Sequence, residues 1–78
     1  MIDFIDRILS AQIKQADAMI EKHKVNIEVL SKNASGVAEH PDMMDTVEKE
    51  LDRIAYWKDI KSAALEFDFE SKKKTLVE

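Results

Sequence analysis

The sequence predicts an all-α fold, a long antiparallel helical hairpin. Three observations predict it. The one glycine and one proline, Gly36 and Pro41, bracket a single short break near the middle of 78 residues. Apolar residues on both sides of that break recur at intervals of three and four, which is the helical repeat. No further glycine or proline interrupts either side, where one would weaken or kink a helix. The chain reads as one helical-hairpin domain over 1–78.

Helix one is expected over about 2–34. Ile2, Ile5, Leu9, Ile13, Ala16, Ile20, His23, Ile27, Leu30 and Ala34 form its apolar stripe, and from Ala16 on the spacing alternates as in a heptad seam. A flanking row of Phe4, Ile8, Ala11 and Met19 widens the stripe in its first half. That width suits packing against two neighbours, as in a four-helix bundle, better than a two-stranded coil. Val25 and Val29 lie on a further face and are expected to be exposed.

Residues 35–41 are the expected connector. Gly36 is the natural C-cap, because glycine alone takes the left-handed conformation there at little cost. Val37 is placed to fold back on the last turn. Pro41 suits a first helical position, where its missing N–H is not needed. Asp42 with Asp45 offers an acidic variant of the capping box.

Helix two is expected over about 42–75. Met44, Val47, Leu51, Ile54, Trp57, Ile60, Ala64 and Phe67 repeat the three-and-four spacing, flanked irregularly by Met43, Ala55, Ala63 and Leu65. Helices of this length are roughly 50 Å long at 1.5 Å per residue. Antiparallel pairing about the break sets Leu30 near Val47, Ile20 near Trp57 and Leu9 near Phe67.

Composition then argues for assembly. A compact globule of 9.0 kDa would bury about 63% of its unfolded surface. A two-helix rod does worse, yet 45% of the residues are hydrophobic. That is more apolar surface than one helix pair hides, so a homodimeric four-helix bundle is expected. Its core would be Ile5, Leu9, Ile13, Ile20, His23, Ile27, Leu30, Val47, Leu51, Ile54, Trp57, Ile60, Ala64 and Phe67.

There is no cysteine, so no disulfide or thiolate site is possible. Residues 1–9 lack the basic start and apolar block of a secretory signal. No apolar run is long enough to cross a membrane. A cytoplasmic protein is expected. The net charge of -4 lies wholly in the second half, where Glu39, Asp42, Asp45, Glu48, Glu50 and Asp52 form a block relieved by Lys49, and Lys72, Lys73 and Lys74 close the other end. Carboxylates at a helix N-terminus and ammonium groups at its C-terminus complement the macrodipole, which accounts for most of this pattern.

The sequence offers little chemistry. Neither His23 nor His40 follows a Glu by three residues, so the paired Glu-x-x-His bundle motif is absent. His40, Asp42 and Asp45 hold potential metal ligands, but capping and solvation explain them more cheaply, and no metal or cofactor is expected. No Gly-x-Ser-x-Gly elbow exists, and one glycine cannot build a phosphate loop. Asp59 and Glu66 join Glu48 and Asp52 in avoiding the apolar stripe, with Glu50 nearer a seam edge, so no inward acidic cluster forms and no enzyme is expected. His23 lies on the stripe. The simplest account is a half-buried histidine bonded across the interface. If its imidazole were unpaired, protonation would loosen assembly below about pH 6.5.

Two likenesses of shape bear on the rest. The dimeric helical hairpin that binds RNA loops, the plasmid copy-number regulator, has this general form and none of this sequence. Lys14, Lys22, Lys24 and Lys32 with Arg7 would be the corresponding basic face, but a pI near 5.1 gives a weak electrostatic footprint and nucleic acid is not expected. The break Ala38-Glu39-His40-Pro41-Asp42 resembles the turn of secretion-apparatus needle subunits and small co-chaperones. This implies a hairpin and no function. The expected role is a small noncatalytic protein–protein interaction module (an inhibitor, adaptor or assembly chaperone such as phages and mobile elements carry) that binds itself and an unidentified protein. Tyr56 and Phe69 leave the stripe, and aromatics are enriched where partners bind. With Glu48, Asp52 and Asp59 they are the expected partner-binding residues.

Overall fold

The computed structural model describes residues 4–32 and 40–77, and the side chains of 4–32 and 42–70. Two helices, α1 (Phe4–Lys32) and α2 (His40–Val77), lie against one another as a hairpin. The rod measures 62 × 18 × 12 Å. The expectations for Asn33, Ala34, Ser35, Gly36 and Val37 lie outside the described residues.

α2 begins earlier than its sequence suggests. His40 is its first residue, Pro41 its second, and Asp42 stands in the first turn. Asp42 therefore serves the helix as a carboxylate near the positive end of the dipole, not as the cap expected of it. Its carbonyl accepts a 2.9 Å bond from Thr46 Oγ1 one turn on.

The seam of α1 follows its apolar stripe. Leu9, Ile13, Ala16, Ile20, His23, Ile27 and Leu30 are all buried or half-buried. Ala16 is fully covered, and its methyl group, the smallest side chain in the α1 seam, lets the backbones come close. The seam of α2 departs from the expected stripe. Val47, Ile54, Trp57, Ile60 and Ala64 are covered to varying degrees, but so are Glu50, Lys61 and Asp68. Met44, Leu51 and Phe67 are instead 73%, 53% and 55% exposed. α2 is turned so that a mixed row faces α1. The polar members of that row, Glu50 and Lys61, find partners on α1, and part of the apolar stripe is left outside.

The resulting core is thin. Among the described residues the buried apolar side chains are Ala16, Ile20, Ile54 and Ala64. The chain exposes 6454 Å², against about 4,850 Å² for a compact monomer of this mass.

Candidate interaction surface

The seam carries one polar cluster. His23 Nδ1 lies 2.5 Å from Glu50 Oε2. Asn26 Nδ2 donates to both Glu50 oxygens, at 3.3 and 3.2 Å. A carboxylate only accepts, so the imidazole carries its proton on Nδ1. The hydrogen bond from His23, then that from Asn26, holds the Glu50 carboxyl below its ordinary value of 4.5. On the far side of the ring, His23 Nε2 is buried with no hydrogen-bond partner, as is Trp57 Nε1. The imidazole expected to be either bonded or unpaired is thus bonded at one nitrogen and bare at the other. A second cross-link is exposed: Lys61 Nζ donates to Asp17 Oδ1 at 2.7 Å.

The outer surface holds the expected partner-binding residues. Glu48, Asp52, Tyr56 and Asp59 are all exposed and follow one another at intervals of four and three, so they share the outer side of α2. Phe69 is exposed as well but lies four residues beyond Leu65, on a different side. Tyr56 is held in place by its neighbours. Its ring meets Trp57 edge-on, with centroids 5.1 Å apart and planes at 87°, and the Arg53 guanidinium carbon stands 5.2 Å from its centroid.

Two features go beyond the sequence reading. The first is the Glu50 cluster: the sequence sets Glu50 nearer a seam edge than the other carboxylates, since Val47, Glu50, Ile54 and Trp57 keep the three-and-four spacing, but not its bonds to His23 and Asn26. The second is a row of exposed Met44, Leu51 and Leu65 on α2, set at multiples of seven residues. Met43, Met44, Val47 and Leu51, with Asp45 and Glu48 beside them, line a groove at one end of this row.

The basic residues of α1 that line grooves share them with carboxylates. Lys24 shares a groove with Asp17 and Glu21, and Arg7 and Lys14 share another with Asp6 and Asp68. Among the described residues no three His, Cys, Asp or Glu side chains gather as a metal site. The side chain of His40 lies outside them. No described helix is long and apolar enough to cross a membrane. No protein-family model, curated protein or solved structure matches the chain.

Proposed function

We propose that this chain is a noncatalytic protein–protein interaction module, working in the cytoplasm as a homodimeric four-helix bundle that occupies a partner's surface with the outer side of α2. One observation supports this most: a hairpin with four buried apolar side chains among its described residues leaves Phe4, Ile5, Ile8, Val25, Val29, Met44, Leu51, Tyr56, Leu65, Phe67 and Phe69 exposed. Apolar surface on that scale marks an interaction site on a soluble helical protein. A core this small also leaves a domain of this size marginal without a second copy. The dimer covers the apolar rows, and the acidic outer side with Tyr56 remains for a different protein.

Light-scattering mass after size exclusion, taken across a dilution series with circular dichroism, tests the first half. A dimer that keeps its mass and helicity on dilution is expected. A helical monomer at every concentration would overturn the bundle. The second half is tested by affinity capture on wild-type and Tyr56→Ala baits: the proposal expects a protein retained by the first and lost by the second.

A further inference from the structure

We propose that the seam binds one buried water between His23 and Trp57. The water donates to His23 Nε2 and accepts from Trp57 Nε1–H, so that Asn26, Glu50, His23 and Trp57 form one hydrogen-bonded chain across the hairpin.

Both nitrogens need a partner. His23 Nε2 and Trp57 Nε1 are buried, and neither bonds to another protein group. Their chemistry is complementary. His23 gives its Nδ1 proton to Glu50 at 2.5 Å, which leaves a lone pair at Nε2 of the neutral ring, whereas an indole N–H only donates. A buried polar group left unmet costs more than a made bond returns. A seam with four buried apolar side chains among its described residues has little to set against two such groups.

Packing brings the two rings together. Val47, Glu50, Ile54, Trp57, Lys61 and Ala64 are covered and alternate by threes and fours, as do Ala16, Ile20, His23 and Ile27 on α1. This is the pattern of knobs in holes, in which each side chain enters a hole formed by four residues of the facing helix. The cross-links Asp17–Lys61 and Asn26–Glu50 set His23 level with Ile54. Its hole therefore has Glu50 at one end and Trp57 at the other, each about one turn from Ile54. Nδ1 is bonded to Glu50, so Nε2, on the opposite edge of the ring, faces the Trp57 end.

The two nitrogens do not meet directly, since neither has a partner, and neither ring is free to turn toward the other. Glu50 holds the imidazole. Tyr56 meets the indole edge-on, with centroids 5.1 Å apart. A water oxygen spans about 5.5–6 Å between two groups it bonds, twice an ordinary hydrogen-bond distance. Two polar partners suffice to hold a buried water, and a bridged contact is nearly as favourable as a direct one. The water thereby extends the Glu50 cluster to the indole against which Tyr56 stands, and positions that outer aromatic from within the seam.

Nuclear magnetic resonance on the isotope-labelled chain tests this at about pH 8, where an ordinary imidazole is neutral. Trp57 is the one indole, and His40→Gln leaves His23 as the one imidazole. A ring protonated at Nδ1 with a hydrogen-bonded Nε2 is expected, with a through-space cross-peak from the Trp57 N–H to a long-lived water. Trp57→Phe keeps a ring and removes the donor. It is expected to shift Nε2 toward the resonance of a bare nitrogen while the Nδ1 proton stays on its bond to Glu50. A wild-type N–H with no water cross-peak overturns the proposal, as does a through-bond coupling straight from Trp57 Nε1–H to His23 Nε2. An Nε2 resonance unmoved by Trp57→Phe also overturns it. If that variant does not fold, the two wild-type observations decide by themselves.

Discussion

His23 and Glu50, 27 positions apart in the chain, meet at 2.5 Å in the middle of the seam. The contact ties the register of the hairpin to its polar chemistry. Sliding α2 by one turn would move the carboxylate about 5 Å and leave a buried imidazole with no partner at either nitrogen. Buried polar contacts of this kind cost little when complete and a great deal when broken.

Glu50→Ala is therefore expected to lower the thermal midpoint by several degrees, and to do so more than His23→Leu. The first change strands a buried ring. The second leaves a carboxylate that Asn26 still serves and water can reach. Melting curves by circular dichroism decide it. If His23→Leu proves the worse, packing and not hydrogen bonding is what His23 supplies.

Acid should weaken the hairpin through the same residue. The Glu50 carboxyl titrates lower in the folded chain than its ordinary 4.5, because His23 and Asn26 hydrogen-bond its charged form and Lys22 lies near. A group whose folded value is depressed stabilises the fold at neutral pH, above its unfolded value. That contribution fades as the pH falls from about 4.5 through the folded value. Urea midpoints measured from pH 7 down to pH 3 should fall along this limb, and Glu50→Gln should flatten it. An unchanged slope in the variant would assign the acid sensitivity to other carboxylates.

Ile54→Ala should cost about 2–5 kcal/mol, a large share of the stability of so small a core. Ala16→Leu should cost about 1–3 kcal/mol for the opposite reason, since Ala16 is fully covered and leaves no room for a larger side chain. Chemical unfolding followed by the fluorescence of Trp57, the one tryptophan, measures both. A neutral Ala16→Leu would mean that the helices can separate there without loss.

Tyr56→Ala should leave mass and helicity as they are and act on partner binding alone. The ring stands on the outer side of α2 between Trp57 and Arg53. An aromatic anchor held in this way typically carries about 2 kcal/mol or more of a complex, which calorimetry against the captured partner would register. A loss of helicity in the variant would show instead that the Tyr56–Trp57 contact supports the hairpin.

By itself the sequence determined the two helices, the break between them and the side of α1 that is covered. α1 has one dominant apolar stripe. Leu9, Ile13, Ala16, Ile20, His23, Ile27 and Leu30 are the part of it that the seam covers, while Ile5, expected in the core, is left 42% exposed where the stripe nears the helix end. The expected register also falls within a turn of the Asp17–Lys61 and Asn26–Glu50 cross-links. α2 was not legible in the same way, because its apolar residues run more than halfway round the helix. Met44 and Leu51 fit one phase and Glu50 and Lys61 another, and periodicity weighs the first more heavily. Only the tertiary structure decided between them. Glu50 and Lys61 can turn inward because His23, Asn26 and Asp17 on the facing helix meet them with hydrogen bonds and charge. A polar side chain enters a seam at little cost only when its partner is already there, and that partner lies in the other half of the chain.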